Sequence, residues 1–390
     1  MANRRTAGPR PAVPPAPAAP PPAEPAGWRP DILGPGFEQL TLHLPEDRIA
    51  TLVHRQPDPE AGRAPRMDVL YVHGWSDYFF QKELAQYWID VGARFFALDL
   101  HNYGRSLRPG DTPGFVTDLA EYDADIAAAL QAMGRRDPAG PGGAGTPGNP
   151  GTPQAGADLP LVLLGHSTGG LTLSLWAARH PGVAAALILN SPWLEFQGAE
   201  LGRRAISPLI NLEAARNPRG TLPAVDSGNY SRAVSAAFGG EWHYNSQWRP
   251  VRGFTATTAF IHAVFRGQAA VARGLHLDLP VLVLLSTRSY LQPRWSPEVR
   301  TSDVALDVNV VAHRALSLGN TVSIIRIPDA MHDVFLSLPP VRADAYAAIS
   351  RWGTGYLPPE REQAAGPPRW LRGLAGLRAR AGRALQSISS

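Results

Sequence analysis

The sequence predicts an α/β fold: a mostly parallel sheet with helices on both faces and a helical cap inserted into it. Three observations carry the prediction. Short apolar runs alternate with stretches of helical spacing along residues 36–356. Residues 160–170, Pro-Leu-Val-Leu-Leu-Gly-His-Ser-Thr-Gly-Gly, read as a buried strand that ends in a tight turn and offers Ser167 at the start of a helix. The alternation breaks once, over residues 193–278, and then resumes.

Residues 36–44 and 48–54 alternate on either side of Pro45, Glu46 and Asp47, which predicts an opening hairpin. Residues 68–73 form a short buried strand, followed by a helix over 80–91 and a strand over 93–98. A turn at 99–106 leads to helical periodicity over 115–133, with Leu119, Tyr122, Ile126 and Leu130 on one side. Residues 134–158 are Gly, Pro and Ala with almost nothing apolar, and are expected to be a disordered surface insertion. After the Ser167 turn, Leu171, Leu175, Trp176 and Ala178 recur at helical spacing, and 184–189 is the next buried strand. The expected cap, 193–278, holds helical pieces, turns, and an aromatic group made of Phe196, Trp242, Tyr244, Trp248 and Phe254. A strand at 280–286, a helix over 304–316, a strand at 321–327 and a closing helix over 341–352 complete the chain's catalytic-sized domain, set at 31–362.

Composition narrows the function. The 390 residues are 44% hydrophobic, enough for one large core. There is no cysteine, which excludes disulfides and thiolate metal sites. Lys82 is the single lysine, so the basic charge is almost all arginine. Residues 1–30 carry +3 and residues 363–390 carry +5, so a formal charge of +4 for the whole chain leaves the central part at −4. A nucleic-acid-binding core is therefore not expected. Residues 1–30 lack an uninterrupted apolar run and are expected to be a disordered Pro/Ala-rich tail rather than a signal peptide. No stretch approaches 18 apolar residues, and the expected location is cytoplasmic.

The chemistry centres on Gly165-His166-Ser167-Thr168-Gly169. Between a strand and a helix this pattern forces a turn too sharp for side chains at Gly165 and Gly169, and it pushes the Ser167 hydroxyl into the open. A serine hydroxyl needs a base, and the base needs an orienting acid. Among eleven histidines, His332 follows the last strand and is the expected base. His166 adjoins Ser167 but should point away from its hydroxyl. The acid is expected after the 280–286 strand, where Asp303 leads and Asp307 and Glu298 are the alternatives. The order Ser167, Asp303, His332 is the one this strand–turn–helix chemistry takes. The backbone N–H groups of Trp75 and Thr168 are the expected oxyanion donors, one after the 68–73 strand and one at the helix start. Neither a cofactor nor a metal is expected, since no H-E-x-x-H occurs and no G-x-G-x-x-G follows a strand.

These residues resemble a known family. His73-Gly74 with Asp77-Tyr78-Phe79-Phe80, Asp99 through Ser106, the 165–170 motif, Ser302 through Asp307, and His332-Asp333 occur in order across about residues 36–356. They resemble the α/β-hydrolase fold, in the monoacylglycerol lipase and serine aminopeptidase-like group of the actinobacterial type. The resemblance implies that the acid is the first Asp of a D-x-x-x-D-like stretch, which maps onto Asp303, and that Asp99 through Ser106 is a structural turn. Here residues 287–302 intervene before Asp303, longer than relatives have. Dehalogenases and epoxide hydrolases of the same fold need a carboxylate where this chain has Ser167.

The expected activity is hydrolysis of a carboxylic ester, a small molecule or a lipid, with an apolar or lipid-like acyl group. The aromatic cap motivates it. Amide, peptide or carbon–carbon bond cleavage on the same triad, and a non-catalytic ligand-binding receptor, are the alternatives. From Arg369, residues Trp370, Leu371, Leu374, Leu377, Ala381, Leu385 and Ile388 recur at three- and four-residue steps among arginines. Residues 363–390 are therefore expected to be a basic amphipathic tail offering peripheral membrane contact through 369–388. Gly366, Gly373, Gly376 and Gly382 argue instead for a frayed or protein-docked helix.

Overall fold

A computed structural model describes residues 27–57, 64–135, 159–196, 199–222 and 227–359. Residues 1–26 of the expected 1–30 tail, 136–158 of the expected 134–158 insertion and all of the expected 363–390 tail lie outside the described residues, while Arg29 and Pro30, expected in the disordered tail, form a short strand. Nine strands form one sheet: β1 (Arg29–Pro30), β2 (Phe37–His43), β3 (Ile49–Arg55), β4 (Met67–Val72), β5 (Ala93–Asp99), β6 (Leu161–His166), β7 (Ala186–Asn190), β8 (Val281–Ser286) and β9 (Val322–Ile327). Their spatial order is β1-β2-β3-β5-β4-β6-β7-β8-β9. The first three pairings are antiparallel and the rest are parallel, from β5 through β9. Parallel strands need crossovers that cover both faces, which explains why β4, β6, β7 and β8 are buried throughout, while β9 at the edge is only partly covered.

Alternate strand residues point to opposite layers. Val69, Tyr71, Val162, Leu164, Ile188 and Leu284 face α1 (Lys82–Asp90) and α8 (Pro339–Tyr356). Leu70, Val72, Leu163, Leu187, Leu189 and Val283 face α2 (Tyr122–Ala132), α3 (Thr168–Arg179), α6 (Thr258–Arg273) and α7 (Val308–Ala315). The sequence-based helix over 115–133 begins later than its periodicity suggests. Asp118 and Glu121 form a capping box that starts a short 3-10 turn, and α2 follows it.

The insertion contains α4 (Ala199–Arg216) and α5 (Asn229–Val234). Here the structure differs from the expected 193–278 cap. α6 lies inside that range, yet its stripe of Phe260, Ala263, Val264 and Val271 is buried in the sheet's own core beside α3. α6 also packs against α4, so it joins the expected cap to that core. The expected aromatic group also divides: Trp242, Tyr244 and Trp248 pack around Tyr78 and Phe80, whereas Phe196 packs edge-on against Phe265 of α6.

Candidate active site

Ser167 sits between β6 and α3 with φ 50° and ψ −115°, a left-handed conformation that costs a non-glycine residue about 1–3 kcal/mol. The close packing on either side explains the two flanking glycines. A Cβ on Gly165 would lie 2.7 Å from the Gly170 Cα, and one on Gly169 would run into the carbonyl oxygens of Val72 and His73. The Ser167 N–H donates to Asn190 O at 3.0 Å, and its own carbonyl accepts from Gly170, Leu171 and Trp193. The backbone is held from both directions while the hydroxyl stays free to face a base.

That hydroxyl lies 3.1 Å from His332 Nε2, and His332 Nδ1 lies 2.9 Å from Asp303 Oδ2. All three residues are buried. The long 287–302 excursion does not carry Asp303 away from the strand end. A parallel bridge pairs Ser289 with Asp303: the Asp303 N–H donates to Arg288 O at 3.0 Å, and Tyr290 N–H donates to Asp303 O at 2.7 Å. The second carboxylate oxygen of Asp303 accepts the N–H groups of Ala305 and Leu306, both at 2.8 Å, which turns the first toward His332.

The two alternative acids are placed elsewhere. Asp307 caps α7, accepting the N–H groups of Asn309 at 3.0 Å and Val310 at 3.2 Å. Glu298 is exposed in a 3-10 turn beside Ser296. His166, as expected, turns from the hydroxyl and donates from Nδ1 to Asn190 O at 3.1 Å. Burial would lower the His332 pKa, but the charge of Asp303 and its hydrogen bond, with Asp333 and Asp77 behind them, outweigh it and hold the ring above its ordinary value. Burial lowers His166, against the opposing charges of Asp333 and Asp77.

Thr168 is the first residue of α3 and Trp75 follows β4. Neither N–H donates to a partner among the described residues, so both are available to an anion. The Trp75 ring stacks on Phe260 of the core at 4.0 Å.

Sequence reasoning missed a buried polar layer beneath these residues. The Asp333 carboxylate accepts from Asn190 Nδ2 at 2.6 Å, Gln81 Nε2 at 2.9 Å and the Phe335 N–H at 2.9 Å. Asn190 Oδ1 accepts the Val334 N–H at 3.1 Å, so one side chain clamps the loop that carries His332. Asp77 forms an ion pair with Arg249 at 3.0 Å, with both side chains no more than 5% exposed. Burial pushes the Asp77 carboxyl up, and Arg249 and His166 oppose that shift. Asp77 and Asp333 stand in motifs visible in the sequence. Nothing in the sequence separates Arg249 from the many other arginines.

Asp77, His166 and Asp333 bring possible ligand atoms within 4.8 Å of one another. The donor set does not suit a cation. The Arg249 guanidinium already supplies positive charge to Asp77, and three donors occupy Asp333.

Sequence comparison matches residues 69–349 to the alpha/beta hydrolase family. The chain belongs to that family. Among alpha/beta hydrolases it is similar to a monoacylglycerol lipase of Mycolicibacterium smegmatis, 27% identical over 129 residues. That match covers 33% of this chain and spans only 38% of the relative's length. Two solved alpha/beta hydrolases share the fold. The monoacylglycerol lipase of Paleococcus ferrophilus has a TM-score of 0.54 at 18% identity, covering 76% of this chain and 96% of its own. A soluble variant of monoglyceride lipase from Saccharomyces cerevisiae, in complex with a substrate analogue, has a TM-score of 0.53 at 16% identity, covering 79% of this chain and 92% of its own.

Proposed function

We propose that this alpha/beta hydrolase cleaves a carboxylic ester with an apolar or lipid-like acyl group through an acyl-enzyme on Ser167. The observation that carries the reading is the unbroken pair of contacts from Ser167 Oγ to His332 Nε2 and from His332 Nδ1 to Asp303. As Oγ attacks the ester carbonyl, its proton passes to His332 Nε2. Asp303 keeps the Nδ1 proton in place and stabilises the imidazolium that forms. The carbonyl oxygen, now an anion, takes the N–H groups of Trp75 and Thr168, each worth about 3 kcal/mol in the transition state. His332 returns the proton to the departing alcohol, and water repeats the sequence to release the acid. No cofactor or metal enters these steps.

The apolar acyl preference rests on the stacked Trp75 and Phe260 beside the donors, and on the likeness to proteins named monoacylglycerol lipases. Peripheral membrane contact belongs to the same reading. Among the described residues no helix is long and apolar enough to cross a membrane. Yet α4 leaves Leu201 81%, Leu209 68% and Leu212 48% exposed, on a helix that also carries Arg204 and Arg216. Residues 369–388, outside the described residues, would add basic amphipathic surface to it.

The test is a fluorophosphonate label followed by a substrate panel of p-nitrophenyl esters, monoacylglycerols and aminoacyl anilides. Label on Ser167, ester turnover, and loss of both in Ser167→Ala are expected, with a rate drop of about 10⁴-fold or more. Turnover confined to anilides would replace the ester reading. Ligand binding without turnover, unchanged by Ser167→Ala, would replace the enzyme with a receptor.

A further inference from the structure

Residues 75–80 follow β4 and carry the Trp75 N–H. The far end of this loop is tied to the sheet: the Phe79 N–H donates to Asp99 Oδ1 at 3.0 Å, and Phe79 O accepts from Arg105 at 3.0 Å. The end that matters for the oxyanion is tied elsewhere. Ser76 Oγ accepts the Phe254 N–H at 2.9 Å, Asp77 pairs with Arg249 at 3.0 Å, and Tyr78 Oη accepts the Asn245 N–H at 2.7 Å. All three partners belong to the insertion. Ser76 itself is held at φ 52°, a conformation that persists only where its surroundings over-determine it.

The same insertion reaches the other side of the site. Tyr230 Oη accepts the Asp333 N–H at 3.1 Å, and its ring meets His332 edge-on at 5.8 Å. The Arg249 guanidinium lies over the Tyr230 ring at 5.0 Å while its Nε reaches Asp77. One buried side chain thus touches the loop that offers the Trp75 donor and the residue that braces the His332 loop.

We infer that Arg249 is a positioning residue: through Asp77 and Tyr230 it sets the Trp75 N–H in register with Ser167 and His332, so the insertion builds the oxyanion site as well as covering it. The inference rests on the serine mechanism proposed above. A buried ion pair contributes little net stability, because desolvation offsets its attraction, but removing one partner leaves the other charge buried and uncompensated, so the pair ties the insertion to the 75–80 loop. The guanidinium lies over two aromatic rings, Tyr230 and Tyr244, with its Nε 3.0 Å from the Asp77 carboxylate.

Three variants separate positioning from bulk stability: Arg249→Met, Arg249→Lys and the double variant Asp77→Asn/Arg249→Met. Arg249→Met leaves a buried unpaired carboxylate and should lose both melting temperature and activity. The double variant removes both charges and should recover most of the melting temperature. Its kcat on a p-nitrophenyl ester should stay about 10²-fold low with KM within threefold of wild type, the loss expected for one missing oxyanion donor. Its affinity for a boronic acid that mimics the tetrahedral intermediate should fall by a similar factor. Arg249→Lys, which keeps the charge but not the planar guanidinium over the two rings, should lie between. Activity that tracks melting temperature across all three variants, or a double variant with wild-type kcat, overturns the inference. Should the double variant fail to fold, Arg249→Lys with wild-type kcat and wild-type boronate affinity overturns it equally. Absence of label on Ser167 in the wild-type chain would instead sink the serine mechanism, and the inference with it.

Discussion

Replacing Asp303 by Asn tests the acid with almost no change in volume. Asp303 Oδ1 is held by two N–H donors, from Ala305 and Leu306 at 2.8 Å, so the amide oxygen of the variant must stay there. The amide nitrogen then takes the place of Oδ2, 2.9 Å from His332 Nδ1. Two donors cannot face each other, so the ring adopts the opposite tautomer and presents Nε2–H to Ser167 Oγ. A protonated Nε2 cannot accept the serine proton. The expected loss in kcat is about 10⁴-fold, which corresponds to about 5.5 kcal/mol at 1.36 kcal/mol per tenfold. The matched control is Asp307→Asn. Asn caps a helix as well as Asp does, so α7 should keep its N-terminus and the enzyme its activity within a few-fold. Steady-state hydrolysis of a p-nitrophenyl ester, with melting curves to confirm folding, measures both. Asp303→Asn within tenfold of wild type, or Asp307→Asn as the more damaging change, would refute the assignment.

The pH profile follows from the His332 environment. The base must be neutral to accept the proton, so kcat/KM should rise with pH through an apparent pKa above the ordinary histidine value of about 6.5, the direction in which Asp303 shifts the ring. In the residual activity of Asp303→Asn the same limb should move to lower pH, and an unmoved or raised limb would contradict the pairing. Membrane contact is read by co-sedimentation of the full chain, a 1–362 truncation and Leu209→Asp/Leu212→Asp with anionic and neutral vesicles. The full chain should bind anionic vesicles at low salt and each altered form should bind less, each arginine near the surface contributing about 1 kcal/mol. Equal binding by all three, or none at low salt, removes the membrane role.

Much of this protein is legible in its sequence. Residues 160–180 contain a strand, a forced turn and a helix in one contiguous stretch, and local sterics alone dictate where Ser167 must point. The alternation of apolar runs with helical periodicity likewise determined a parallel sheet covered on both faces, because each element's burial pattern is written in its own few residues. Only the tertiary structure places Asp303 beside His332 and Asp307 at the start of α7, since the 287–302 excursion has to fold back through the Ser289–Asp303 bridge before either carboxylate has a position. Only it shows that the α6 stripe meets the sheet's core, because an apolar helical stripe has the same period whichever surface receives it. Arg249 had no local signature at all. Its role depends on Asp77, Tyr230 and Tyr244 meeting it after the chain has closed a long loop, and contacts of that kind are settled by packing among distant residues rather than by the spacing of neighbours.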